Sequence, residues 1–389
     1  MRSLDVVTQS PTERVYLDRP AMDAIRAEAD LIGASRVFII ASGTLARTTD
    51  EVERVRSALG DRYAGTYARV PVRASHAAVI EAGRLARAAG ADLLVTMGGG
   101  TIADAAKVIA LCMKHDLREH EDLEPFRYYA GEDGAVVRPA FEGPDVRIVA
   151  VPTTLSGAEF WWAGGIYDER TQTKHGYYHR RMGPVAIVLD PAVTRHTPAW
   201  LWTSTGVRAI DHACETLGSR LSNAYCDGLA EHALQLLHEG LVRVKADPAD
   251  MPGRLQCLIG SWQAMTPITA GVPMGLSHAV GHKMGPVCAV PHGYTSCITA
   301  PNALSFNAAA NGDRQRKISN ALGAPDQPAH VLLDRLIREL GMPRRIADVV
   351  KEPPNLESLV EQIMTDYWIY TNPRPMDRAD VEQFLQGLL

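Results

Sequence analysis

A chain of 389 residues, 46% hydrophobic and 22% charged, is long enough to bury a large core and to divide into two domains. Its net charge of −5 is spread rather than blocked, which excludes nucleic acid and anionic membrane surfaces as obvious partners. No apolar run approaches the ~18 residues that cross a bilayer, M-R-S-L-D-V-V-T-Q-S lacks the apolar core of a secretion signal, and six cysteines without a C-x-x-C pair read as reduced thiols, so the expected location is cytoplasmic.

In chain order, V-F-I-I-A-S-G-T after Ser35-Arg36 reads as a strand with a small-residue turn, and Thr48 to Leu59 carries helical apolar spacing. Tyr67 to Val70 is a weak strand, His76 to Ala89 an alanine-rich helix, Asp92 to Met97 a buried strand, and Thr101 to Met113 a second helix. V-R-I-V-A-V-P, ending at Pro152, adds a further apolar strand. Strands alternating with helices of this length predict an α/β domain with a Rossmann-like parallel sheet and ligands at the C-terminal strand ends. Beyond Asp190-Pro191 strand signals nearly vanish, and Gly228 to Val244 and Ala329 to Leu340 read as long helices. The expected division is a dinucleotide-binding α/β domain over 1–187 and an all-helical catalytic domain over 188–389.

At the end of the Asp92 to Met97 strand, the chain runs into Gly98-Gly99-Gly100-Thr101 and straight into a helix. Glycines at such a junction let backbone amides approach a pyrophosphate, whose charge the helix N-terminus favours. A tight turn without a ligand is the bland alternative. V-P-T-T-L-S-G-A-E, residues 151 to 159, ends another strand in hydroxyls and is weak by itself. The aromatic run Phe160-Trp161-Trp162 reads as core packing ahead of a substrate pocket, and His175, His179, Arg180 and Arg181 as a solvated polar loop.

Imidazoles concentrate later in the chain. His278 and His282 are four apart and share one helical face, His292 follows a proline, and Arg208-x3-His212 repeats the four-residue spacing with a cation where a hard metal ligand would complete the set.

Together these segments resemble the iron-containing alcohol dehydrogenase family, of the dehydroquinate synthase-like fold. The resemblance rests on GGGTIADAAK at 98 to 107, PTTLSGAE at 152 to 159, LDP at 189 to 191, GVRAIDHACE at 206 to 215, and GLSHAVGHKMG with VPHG between 275 and 293. It implies a dinucleotide-binding domain, a helical domain, a cleft between them, and hydride transfer from a nicotinamide to a carbonyl. By the resemblance, Gly98, Gly99, Gly100 and Thr101 hold the pyrophosphate, Asp104, Thr153, Thr154 and Lys174 line the cofactor cleft, and His282 lies nearest the nicotinamide.

Two departures narrow the expectation. Metal-dependent members carry an aspartate where Arg208 stands; a guanidinium cannot coordinate a cation, so no tightly bound metal is favoured, and were iron or zinc bound, His212, His278 and His292 would hold it. PTTLSGAE is one residue shorter than the form usual in that branch and is similar to that of maleylacetate reductases. The expected activity is therefore NAD(P)H-dependent reduction of a keto acid or aldehyde, with Arg208, His212, His278, His282 and His292 as the catalytic set. In it Arg208 pairs with the carbonyl oxygen or a substrate carboxylate, and His282 or His278 donates the proton. The bland alternative for Arg208 is an internal ion pair with Asp211 or Glu215.

Ser42 stands where NAD-specific relatives tend to place an acid, so both NADH and NADPH are expected as cofactors. A metal-dependent alcohol dehydrogenase is the first alternative, and a dehydroquinate synthase-like lyase or a metal-dependent hydrolase represents a different class. The resemblance also implies a homodimer acting on a small-molecule substrate.

Overall fold

The computed structural model describes residues 4–130, 136–288, 290–352 and 355–389. It divides into two compact units, one of Ser10–Thr197 and one of Pro198–Leu389 together with Met1–Gln9.

The first unit contains strands β1 (Arg14–Leu17), β2 (Val37–Ala41), β3 (Tyr63–Tyr67), β4 (Leu93–Gly98), β5 (Arg127–Ala130), β6 (Val136–Val137), β7 (Arg147–Pro152), β8 (Ala163–Asp168), β9 (Thr173–Tyr178) and β10 (Ala186–Leu189). Its helices are α1 (Ala21–Ile32), α2 (Gly43–Thr48), α3 (Glu51–Leu59), α4 (His76–Ala88), α5 (Gly100–His115) and α6 (Pro191–Thr194). Six strands form a parallel sheet in the order β1-β10-β7-β4-β2-β3. Alternation along the strands sends Phe38, Ile40 and Leu94 into a core with α4 and α5, and Val37, Ile39, Leu93 and Val95 into a second core with α1 and α3. Both faces are thus covered, which is why these strands read as continuous apolar runs.

Four further strands make an antiparallel sheet in the order β6-β5-β9-β8. Its sequence signal is poor because T-K-H-G-Y-Y and A-G-G-I-Y-D mix glycine with polar residues. The polar loop expected around His175 is corrected here: His175 is buried on β9, while Arg180 and Arg181 begin a short 3₁₀ turn. Phe160 and Trp162 are buried and Trp161 stacks on Trp162 at 5.2 Å, as core packing requires.

The break between units falls after α6. Asp190 accepts from the N–H groups of Ala21 and Ala192, Val193 joins the sheet's core, and Thr197 Oγ1 donates to Thr153 O at 2.7 Å, so this stretch belongs with the α/β unit.

Among its described residues, the second unit is helical throughout. It comprises α7 (Ala199–Gly218), α8 (Ala224–Ala246), α9 (Met251–Ala270), α10 (Leu276–Cys288), α11 (His292–Ala321, kinked at Asn311), α12 (Ala329–Glu339), α13 (Leu356–Ile363) and α14 (Arg378–Gln386). α7 is buried along most of its length and packs against α8, α9 and α11. That position puts the polar residues of GVRAIDHACE inside the bundle.

Candidate active site

In the α/β unit, β4 ends at Gly98 and Gly99 caps α5. A Cβ on Gly98 would lie 2.5 Å from Ile102, one on Gly99 2.9 Å from Thr154, and one on Gly100 2.8 Å from Ser156. The glycines therefore let the turn close against its own helix and against the loop after β7, so the two motifs form one surface. Gly99 has no side chain with which to cap α5, and the first turn holds no acid. In that turn the Ile102 N–H donates to Gly99 O at 2.9 Å, and the N–H groups of Gly100 and Thr101, which have no carbonyl a turn behind them, suit a phosphate.

The other residues expected at the cofactor divide. Thr153 and Thr154 are buried beside the turn, the Thr153 N–H donating to Gly98 O at 3.0 Å. Thr101 Oγ1 donates to Val72 O at 3.3 Å, and Ser42 precedes α2, half-buried. Asp104 is drawn into the protein's own network: it accepts from Lys107 Nζ at 3.2 Å and from the Gly165 N–H at 3.2 Å. Lys107, fully buried, also donates to the carbonyls of Ala158 and Ala163 at 2.8 Å each. Lys174 is exposed on β9, its Nζ 3.9 Å from Asp104.

In the helical unit, Arg208, Asp211, His212 and Glu215 fall at i, i+3, i+4 and i+7 on α7, one stripe of the helix, and all four are largely buried. Glu215 reaches the start of α10, where Oε2 accepts from the Gly275 N–H at 3.0 Å and Oε1 from the Ser277 N–H at 2.8 Å. A carboxylate there suits the positive end of the helix dipole. It also holds His278, whose Nδ1 lies 2.7 Å from Glu215 Oε2 and 3.4 Å from Asp211 Oδ2. Asp211 Oδ2 accepts from Ser277 Oγ at 2.7 Å. The rings of His212 and His278 stack at 4.8 Å.

Arg208 is the outlier of this stripe. Its guanidinium donates to Ser296 Oγ at a long 3.4 Å, and among the described residues it forms no ion pair with either carboxylate, although both charges act on it. Burial pushes it below its ordinary value, yet an arginine stays charged. Three polar atoms of the cluster, Asp211 Oδ1, His212 Nδ1 and His278 Nε2, are buried with no hydrogen-bond partner.

Electrostatics sort the imidazoles. Burial, ahead of neighbouring positive charge, holds His212 and His278 well below the usual histidine range, so both are neutral near pH 7. Burial also raises Asp211, with the Glu215 charge adding to it, and raises Glu215. His282 differs: its Nδ1 donates to Asp366 Oδ2 at 3.0 Å, its ring lies 4.8 Å from that of Trp368, and its side chain is one-third exposed. Burial works to raise Asp366, but the hydrogen bond from His282 and the charges of His282 and Lys283 outweigh it, leaving an ionised carboxylate. His292 sits exposed at the first residue of α11.

Asp366 was not legible in T-D-Y-W, which carries no motif. The roles of Glu215 and Asp211 depend on where α10 begins, which their spacing from Arg208 does not give.

Family models for iron-containing alcohol dehydrogenases match residues 11–191, and for their C-terminal part residues 202–389. The chain belongs to the iron-containing alcohol dehydrogenase family. It is an oxidoreductase of that family. A dehydrogenase of Alternaria alternata, ALT3, is 30% identical, covering 92% of this chain and all of its own. A maleylacetate reductase of Burkholderia cepacia is 28% identical, covering 96% of this chain and 94% of its own. The crystal structure of a maleylacetate reductase from Agrobacterium tumefaciens superposes with a TM-score of 0.82 at 22% identity, covering 99% and 98% of the two chains. The shared fold is a parallel-sheet α/β unit followed by helices.

A family named for iron raises the question of whether these side chains make a metal site. Asp211, Glu215 and His278 bring one ligand atom each within 4.8 Å of one another. The atom common to their contacts, His278 Nδ1, is already hydrogen-bonded to Glu215, whose oxygens also take the Gly275 and Ser277 N–H groups. Of the four-residue set of the metal-dependent branch, two imidazoles are buried, His292 is exposed, and the fourth position holds a buried cation that opposes a second one. The Arg208 charge weighs against a divalent cation here, while the unpartnered Asp211 Oδ1, His212 Nδ1 and His278 Nε2 are atoms that such a cation could use.

Proposed function

We propose that this oxidoreductase reduces the carbonyl of a keto acid or aldehyde with NADH or NADPH, in the manner of a maleylacetate reductase, and that Arg208 replaces a metal in polarising the oxygen. The observation that carries the reading is the Arg208 guanidinium, buried, charged and bound only loosely to Ser296. Such a group keeps most of its donors for an anion, and a carboxylate or a developing oxyanion matches its fork.

Gly98 to Thr101 and the loop carrying Thr153 and Thr154 form the surface for the pyrophosphate. Asp104 acts behind it by fixing Lys107 and β8. When bound, the nicotinamide supplies a hydride to the carbonyl carbon. Arg208 then stabilises the electron pair displaced onto oxygen. His282, oriented by Asp366, delivers the proton that oxygen takes. His278 suits this less well, since it is neutral and its Nδ1 is tied to Glu215; with His212 it shapes the wall around Arg208.

Steady-state turnover on a panel of keto acids and aldehydes, before and after exhaustive chelation, tests the proposal. Activity on a keto acid that survives chelation is expected. Activity lost to the chelator and restored by iron would return the protein to the metal-dependent branch.

A further inference from the structure

A second histidine cluster lies in the α/β unit, apart from every residue assigned above. His76 opens α4, His120 opens a 3₁₀ turn (His120–Phe126), His175 lies on β9, and Asp168 ends β8. His76 and Asp168 are fully buried and His175 nearly so, while the His120 side chain is one-quarter exposed. The rings converge: His76 lies 5.5 Å from His120 and 5.2 Å from His175 between centroids.

A buried imidazole normally finds partners for both nitrogens, because each unsatisfied polar atom costs ~1–3 kcal/mol. Here Nδ1 of His76, of His120 and of His175 are all buried without a hydrogen-bond partner, as is Glu169 Oε2. His76, His120 and Asp168 each offer a ligand atom within 4.8 Å of the other two. His120 Nδ1 is 4.0 Å from Asp168 Oδ1. Two of these imidazoles, His76 and His120, stand beside the Asp168 carboxylate with a nitrogen each to offer a ligand.

We infer that His76, His120 and Asp168 form a binding site for a divalent transition-metal cation of the zinc type, with Glu169 or water completing the coordination. Imidazole nitrogen and carboxylate oxygen are zinc's ordinary donors. Bonds of ~2.0–2.2 Å put tetrahedral ligand atoms ~3.3 Å apart, so the side chains need to close by about an ångström. The outer contacts already suit this. Nε2 of His76 is 3.0 Å from Tyr177 Oη, which accepts its proton when Nδ1 binds metal. Burial, opposed by the Asp168 charge and reinforced by those of His175 and His120, pushes His76 down to about 4.

Neighbouring charge is arranged for a dication as well. Asp168 Oδ1 accepts from the Arg170 N–H at 2.9 Å and from its Nε at 3.3 Å, and Arg170 is itself neutralised by Glu121. Glu169 adds a further carboxylate, and Glu124 another that Arg127 pairs with at 2.9 Å. His175 stands outside the ligand set, because its Nε2 faces the Arg127 guanidinium at 3.1 Å and its Nδ1 faces Glu124 at 3.8 Å. The site ties α4, the 3₁₀ turn and β8 together, so its role is to brace the α/β unit.

The test is titration of metal-stripped full-length protein with Co²⁺, followed by visible ligand-field absorption, and then with Zn²⁺ as competitor. Wild type is expected to bind one Co²⁺ with four-coordinate bands that Zn²⁺ displaces, and His120→Ala, which removes a partly exposed ligand, to lose at least about a hundredfold in affinity. Co²⁺ bands unchanged in His120→Ala, or no four-coordinate binding to wild type, would overturn the site. Labelling of wild-type histidines with diethyl pyrocarbonate, mapped by mass spectrometry, supplies a measurement independent of the variant's folding. Zn²⁺ should protect His120, and protection confined to His212, His278 or His292 would also overturn it. Keto-acid turnover by His120→Ala reads separately on the proposed reduction, since none of these residues takes part in it.

Discussion

Two buried histidine clusters, one in each unit, look alike as lists of residues and differ in what surrounds them. His212 and His278 share their site with a buried cation, Arg208, and with two carboxylates that burial keeps near neutrality. His76, His120 and His175 surround an ionised carboxylate, Asp168, held below its ordinary value against the pull of burial by the Arg170 N–H and side chain. On the readings proposed above, the first arrangement suits an anion and the second a cation. The identity of the buried charge, more than the number of imidazoles, sets the chemistry of each cluster.

The sharpest way to break this contrast is to remove the cation. Arg208→Met should lower turnover by ~10²–10³-fold while leaving dinucleotide affinity, measured by fluorescence titration, unchanged. Normal turnover would show that Arg208 is only structural.

Acid should separate the clusters next. In the metal-free α/β cluster the resolved shifts run downward: His76 sits near 4, His175 and Glu169 are lowered, and so is Asp168. Their stabilisation is complete above the unfolded histidine value of ~6.5 and is lost as pH falls, His76 alone accounting for up to ~3 kcal/mol by pH 4. In the helical cluster His212 and His278 are lowered but Asp211 and Glu215 are raised, and the two carboxylates stabilise the fold below their unfolded values and lose that as pH rises. Between pH 6.5 and 4.5 these changes oppose one another. Native-state hydrogen exchange should therefore show α4 opening more readily on acidification while α10 changes little. Equal acid lability of both helices would remove the distinction.

A smaller effect is expected at the proposed proton donor, His282. Asp366→Asn should cost ~10–100-fold in turnover and move the alkaline limb of the pH–rate profile toward lower pH, since His282 loses its carboxylate. An unchanged profile would assign the proton to another group. Smallest is the cofactor ratio: with Ser42 at the turn after β2, the preference for NADH over NADPH should stay below about a hundredfold, or ~2.7 kcal/mol.

How much of each cluster was readable follows from where its residues sit in the chain. Arg208 and His212, and His278 and His282, are pairs four residues apart, and helical geometry alone places each pair on one face. His76, His120, Asp168 and His175 come from a helix start, a 3₁₀ turn and two strands, with no local spacing that relates them. The antiparallel sheet that brings two of them together was itself obscured by glycine and polar residues in β8 and β9. Asp104 shows the opposite case: its motif was plain, but its hydrogen bonds to Lys107 and Gly165 depend on β8 lying beside α5.

By itself, then, the amino-acid sequence determined what depends on local periodicity and on ordered motifs: the parallel α/β unit, the helical unit, the glycine turn before α5, and the family. Only the tertiary structure decided which polar atoms find partners. Glu215 secures His278 because α7 presents it to the first turn of α10, Asp366 reaches His282 from 84 residues away, and His76 and His120 meet Asp168 because separate elements converge on β8. Hydrogen bonding and desolvation act through space over a few ångströms, and chain separation carries no information about them.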